Sequence, residues 1–186
     1  VSDFTPEFFA GDGIERLRSS DLSGLPAVEG RIGAPIAKPS LILCVGLNYV
    51  DHANESSMKV PEEPILFTKA PKCLVGAYDD VLTPRGATTV DYEVDLAVVI
   101  GRQCRYLASP EQAMDHLAGF TIANDVSERT FQLERGGGQW IKGKSCETFN
   151  PCGPYLATTD EDDLDGGLDL WLDVNGERRQ TGSTHD

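Results

Sequence analysis

Positive charge is scarce in this chain. Only 16 lysines and arginines stand against 30 acids, a formal charge of −14 at pH 7. So acidic a surface repels phosphate backbones, which excludes nonspecific nucleic-acid binding. Long hydrophobic runs are also absent. None approaches the roughly 18 apolar residues of a membrane-spanning helix, so no membrane partner is expected. No basic segment runs into an apolar one near Val1, so no signal peptide is visible and a cytoplasmic location is expected. The five cysteines, Cys44, Cys73, Cys104, Cys146 and Cys152, are odd in number and form no C-x-x-C pair. They read as reduced thiols, neither a disulfide framework nor a zinc site. The sequon at Asn54 carries no weight without a secretory context. The glycines around "GGGQWIKGK" fit no phosphate-binding G-x-x-x-x-G-K-[ST] frame. The acidic tract "TTDEDDLDGG" fails as a calcium loop, because Leu172 stands where the final glutamate is required. Repeats and low-complexity tracts are missing too.

What is present is globular: 186 residues, 40% apolar and 25% charged, enough for one domain with a sizeable core. Residues 1–40 are rich in Gly, Pro and Ser around one amphipathic stretch, "PEFFAGDGIERLRSS". They read as an N-terminal arm or the remnant of a small leading domain. Val1 in place of an initiator Met, and the abrupt end at "GSTHD", are expected of part of a longer chain.

Strand-like segments follow. "SLILCVGLNY" (40–49) and "PILFTKA" (64–70) flank a polar stretch, "NYVDHANESSM" (48–58), which reads as a short helix or lid stopped by Pro61 and Pro64. "DYEVDLAVVIG" has period two and then turns continuously apolar, the mark of one strand running into the core. "SPEQAMDHLAGF" (109–120) carries Ser109 as a helix cap, Pro110 at the first helical position and Glu111 in the first turn, and predicts a helix. "TIANDVS" (121–127) returns to strand. "LDLWLDVNGERRQTG" (168–182) predicts a hairpin turning at Asn175-Gly176. Its polar returning arm is expected at an edge.

The acids raise the chemical question. In a strand, residues i and i+2 share a face about 7 Å apart along the chain. Glu93 and Asp95 then point the same way, with Asp91 beside them at the start. Either that face meets water, or a proton or a cation neutralises the carboxylates. A hard divalent ion with oxygen ligands, Mg²⁺, Mn²⁺ or Ca²⁺, is the natural cation. Asp125 ends a second apolar strand, where an unused acid is costly, and two such strands side by side supply three carboxylates. His52 and Glu55, three residues apart, become neighbours if their stretch is helical, an arrangement suited to a general base acting on water. Lys142 and Lys144 share a face if their segment is extended. A lysine near a divalent metal suits an anionic substrate or a developing enolate.

Six segments in this order, "CVGLNYVDHANE", "EPILFTKAP", "VDYEVDLAVVIGR", "GFTIANDVSERTFQ", "GKSCETFNPCGP" and "VNGERRQTGST", resemble the fumarylacetoacetate hydrolase family over residues 41–186. "NDVSERTFQLERGGGQWIKGKSCETFNP" looks most like bacterial members of the ureidoglycolate lyase and diketo-acid hydrolase kind. The resemblance implies an α+β, mainly β domain at 41–186, a mixed β-sandwich roll with short helices, usually a homodimer. It implies that this domain continues beyond Asp186, through a Gly-Thr-Pro loop. By the same resemblance, Glu93, Asp95 and Asp125 match the metal carboxylates, with Asp95 where the family usually has Glu. His52 and Glu55 match the pair that polarises water, Lys144 the catalytic lysine, and Arg129 and Gln132 the substrate pocket. Asp91 falls outside that site, as a polar residue at the strand end.

The implied activity is metal-dependent cleavage of a C–C or C–N bond in a small anionic 2-oxo acid, such as an acylpyruvate, a diketo acid or ureidoglycolate. Decarboxylation of oxaloacetate or isomerisation on the same metal, a non-catalytic metal-binding role, and a secreted Ca²⁺-binding protein are the alternatives. The unpaired cysteines count against the last.

Overall fold

A computed structural model describes residues 3–49, 61–161, 164 and 166–185. Strands dominate. In chain order they are β1 (Ile42–Gly46), β2 (Ile65–Lys69), β3 (Leu74–Gly76), β4 (Val90–Asp91), β5 (Val94–Ile100), β6 (Leu117–Asn124), β7 (Ser127–Glu128), β8 (Asn150–Cys152), β9 (Asp169–Val174) and β10 (Glu177–Ser183). The α-helices are short: α1 (Pro6–Ala10), α2 (Gly13–Arg18) and α3 (Ile141–Lys144). The expected mixed, mainly β architecture is present. A four-stranded sheet runs β3-β8-β6-β5, parallel between β3 and β8 and antiparallel elsewhere, and three two-stranded ribbons surround it without closing a barrel. Among the described residues no helix is long and apolar enough to cross a membrane.

The amphipathic stretch near the N-terminus folds into α1 and α2. Thr5 caps α1, its Oγ1 accepting from the Phe8 N–H at 3.4 Å, and Pro6 opens the first turn. Phe8 and Phe9 meet edge to face at 5.3 Å and bury themselves with Val99 of β5 and Ala118 of β6. A second cluster, Cys73, Val126 and Phe149, lies beneath the loop that carries Asp125. The C-terminal hairpin turns at Asn175-Gly176 as its sequence predicts. Both residues have positive φ, 52° and 81°, which a tight two-residue turn requires.

Three expectations need correction. The segment at 109–120 is a 3-10 run over Pro110–His116, and β6 already begins at Leu117. Ser109 makes no side-chain capping bond and no residue of the run is buried, so nothing rewards a longer α-helix. The segment holding Lys142 and Lys144 is not extended. It forms α3, which turns Lys144 inward and leaves Lys142 exposed, donating to the Arg135 carbonyl at 3.1 Å. The run 90–101 is not one strand. It pairs as β4 with β7 and again as β5 with β6, breaking at Tyr92-Glu93 opposite a matching break at Asp125-Val126.

Candidate metal centre

That double break builds the site. The Val94↔Asn124 pairing places Glu93, just before β5, across from Asp125, just after β6. The backbone is tied on both sides: Asp125 N–H donates to the Glu93 carbonyl at 2.8 Å, and Glu93 N–H donates to Asn124 Oδ1 at 3.1 Å. Glu93, Asp95 and Asp125 each offer an oxygen, and these oxygens lie within 4.8 Å of one another. Asp95 therefore joins the group despite its shorter arm. Burial, then the charges of Asp125 and Glu93, push the Asp95 carboxyl up to about 7. A divalent cation relieves the same repulsion that a proton otherwise relieves. An all-oxygen, partly buried donor set of this kind suits Mg²⁺, Mn²⁺ or Ca²⁺. The thiol nearby takes no part: burial, then the Asp125 charge, push Cys44 up to about 12.

Two buried lysines brace the carboxylates. Lys144 Nζ donates to Glu93 Oε2 and to Asp125 Oδ2, both at 2.7 Å, and lies 5.2 Å from the centre of the Phe67 ring. Lys69, at the end of β2, donates to Asp125 Oδ1, to the Phe149 carbonyl at 2.8 Å and to the Val126 carbonyl at 3.3 Å. Lys144 reaches its place because α3 packs closely on the turn that follows β7. A Cβ at Gly143 would stand 2.5 Å from the Glu128 carbonyl and 2.6 Å from Gln132 Cβ. Only glycine allows that approach.

The turn itself is a single π-helical segment, Thr130–Glu134, a form frequent at functional sites. Arg129 precedes it. Its Nη1 meets Glu93 Oε1 at 2.6 Å and donates to Gln132 Oε1 at 3.1 Å, while Nε and Nη2 donate to Asp91 Oδ2 at 2.9 and 2.8 Å. Asp91 thus belongs to the network, contrary to expectation, because it holds the guanidinium that contacts Glu93. His52 and Glu55 lie outside the described residues.

Sequence reasoning passed over Lys69 and Glu128. Lys69 carried a usable signal, a charge closing the apolar strand "ILFTK". Glu128 carried none. Its carboxylate is fully buried and accepts from Thr88 N–H (3.1 Å), Thr89 N–H (3.0 Å), Thr89 Oγ1 (2.7 Å) and Phe131 N–H (2.6 Å). Burial pushes this group up, but the hydrogen bonds from Thr89, Phe131 and Thr88 outweigh it and hold the carboxyl down to about 2. The unfolded value is about 4.3. A depressed folded value contributes stability above the unfolded value, and that stability is lost as pH falls toward the folded one. Glu128→Gln replaces one acceptor oxygen with a donor and is expected to cost about 2 kcal/mol at pH 7. Urea unfolding should show the gap between variant and wild type narrowing from about pH 4 to pH 2. A gap that stays constant across that window would show that the charge of Glu128 is not what stabilises it.

Three convergent carboxylates, braced by buried lysines on a mixed sheet, define a candidate divalent-cation centre. Residues 41–186 match the family model described as fumarylacetoacetate (FAA) hydrolase C-terminal, and the chain belongs to that family. A Burkholderia multivorans relative named only "Putative hydrolase" is 45% identical over 186 residues, 99% of this chain and 65% of the relative. A Mycobacterium abscessus structure, described as a probable 2-hydroxyhepta-2,4-diene-1,7-dioate isomerase, is 36% identical with a TM-score of 0.79, covering 97% of this chain and 64% of that one. Fumarylacetoacetate hydrolase from psychrophilic Exiguobacterium antarcticum is 39% identical with a TM-score of 0.76, covering 90% of this chain and 60% of that one. The chain thus spans just under two thirds of the length of these proteins.

Proposed function

We propose that this protein is a divalent-cation-dependent enzyme cleaving a C–C or C–N bond in a small anionic 2-oxo acid, such as an acylpyruvate, a diketo acid or ureidoglycolate. The observation that carries this reading is the convergence of Glu93, Asp95 and Asp125 with the Lys144 ammonium, 2.7 Å from two of them. Mg²⁺, or Mn²⁺ or Ca²⁺ in its place, supplies when bound a Lewis acid that attracts the substrate's carboxylate and 2-oxo oxygens and favours enolate charge. The three carboxylates hold the cation. Lys144 and the Gln132 amide stabilise oxyanion charge, and Arg129 lines the substrate pocket. His52 and Glu55 take the proton from the water that attacks the distal carbonyl. The protein works as a cytoplasmic homodimer, with neither nucleic acid nor membrane as partner.

The test is turnover of a panel of acylpyruvates, ureidoglycolate and oxaloacetate with Mg²⁺ or Mn²⁺. Cleavage that stops on adding EDTA and returns with Mg²⁺ is the expected result. Turnover indifferent to EDTA would overturn the metal role. A second reading is isomerisation or decarboxylation at the same centre, favoured by the description of the M. abscessus relative as an isomerase. Neither reaction needs an attacking water, so product identity separates them from hydrolysis. Mn²⁺ binding without turnover on any member of the panel would favour a non-catalytic role.

A further inference from the structure

The segment "VNGERRQTGST" contributes nothing to the centre described above, yet it touches it. Gln180, on the outer arm of the hairpin, reaches the backbone of β5. Its Oε1 accepts from the Val94 N–H at 2.8 Å, and its Nε2 donates to the Val94 carbonyl at 3.2 Å. The amide therefore acts as a one-residue substitute for a neighbouring strand. β5 is the edge of its sheet, so the outer side of Val94 has no strand partner there. The hairpin is shaped for this contact. A register shift between Arg178 and Gln180 inserts Arg179, which lets Glu177, Arg178 and Arg179 all face solvent while Gln180 turns inward.

Val94 is the residue between Glu93 and Asp95. We propose that Gln180 is a positioning residue: by clamping Val94 it sets the direction in which the two flanking carboxylates leave the chain, and so the fit of the centre to a cation. This rests on the metal reading above. The Glu93 side is tied to Asn124 and Asp125 through its own backbone, but Val94 has its polar groups held by Gln180 alone among the described residues.

The experiment compares Gln180→Ala, Gln180→Glu and, as a control on the same arm, Arg179→Ala, whose side chain pairs only with Glu177. Amide hydrogen exchange at Val94 is measured without metal, and the Mn²⁺ dissociation constant by EPR. In Gln180→Ala, exchange at Val94 should rise about tenfold and Mn²⁺ binding should weaken about tenfold, while Arg179→Ala changes neither. Gln180→Glu keeps the acceptor, so Val94 N–H stays protected, but its carboxylate opposes the Val94 carbonyl and Mn²⁺ still weakens. Unchanged exchange in Gln180→Ala, or faster exchange with wild-type Mn²⁺ affinity, would overturn the clamp. If the wild type itself binds no Mn²⁺, the metal reading fails by itself. The clamp is then judged on the ¹³C shifts of the Glu93 and Asp95 carboxyl groups, which move in Gln180→Ala if Gln180 positions them and stay put if it does not.

Discussion

Asn at position 125 is expected to destabilise the metal-free protein by about 3–5 kcal/mol and to abolish Mg²⁺ binding. The Asp125 side chain is 4% exposed and serves two ammonium groups at once, Lys69 on Oδ1 and Lys144 on Oδ2. Asparagine keeps the shape but removes the charge, and its amide group must face one of the lysines with donors against donors. Two buried cations are then left with too little negative charge, the costly way to break a buried ion pair. For a domain of this size the loss corresponds to a fall in Tm of roughly 10 °C.

The double variant Asp125→Asn/Lys69→Met separates structure from chemistry. Removing the Lys69 charge as well should recover part of the stability, with a coupling of about 1–3 kcal/mol in the double-mutant cycle. It should recover none of the metal binding. Urea unfolding in EDTA and calorimetric Mg²⁺ titration measure the two effects. Wild-type turnover of acylpyruvates in either variant would sink the assignment of Asp125 as a ligand.

Lys144→Met is expected to lower kcat by about 10²–10³, the usual scale for removing a group aimed at developing negative charge. The Lys144 side chain is 2% exposed, so methionine replaces its apolar stem in place and deletes only the charged end. Two roles for the lysine make opposite predictions. If it only neutralises Glu93 and Asp125, its loss frees both carboxylates: Mn²⁺ binds more tightly and kcat survives. If it stabilises charge in the reaction, kcat falls while Mn²⁺ affinity rises or holds. Pre-steady-state turnover at saturating Mn²⁺ distinguishes them.

Much of this centre is legible along the chain. Alternation marks β5, the continuous apolar run marks its buried half, and an acid closing an apolar strand marks Asp125. The Asn175-Gly176 turn follows from the two residues' tolerance of positive φ. The misreadings share one cause: local pattern does not report what lies across the sheet. Period two at 90–96 is compatible with one strand, and only the facing chain shows that pairing stops at Tyr92-Glu93 and resumes at Val94. Capping signals at 109–111 favour a helix, but with no buried face to reward it the segment stays 3-10. Lys142 and Lys144 alternate as they would in a strand, yet the close approach at Gly143 makes the segment helical and separates them.

By itself, then, the sequence determined which segments form strands, where the tight turn falls, and which acids stand at strand ends. Those depend on residues within a few positions of each other. Tertiary structure decided what neutralises the acids and what aims them. Lys69 meets Asp125 across 56 positions, Glu128 gathers Thr88 across 40, and Gln180 clamps Val94 across 86. Charges and hydrogen-bonding groups act over a few ångströms of space whatever their separation along the chain. Only the folded sheet brings these partners within range.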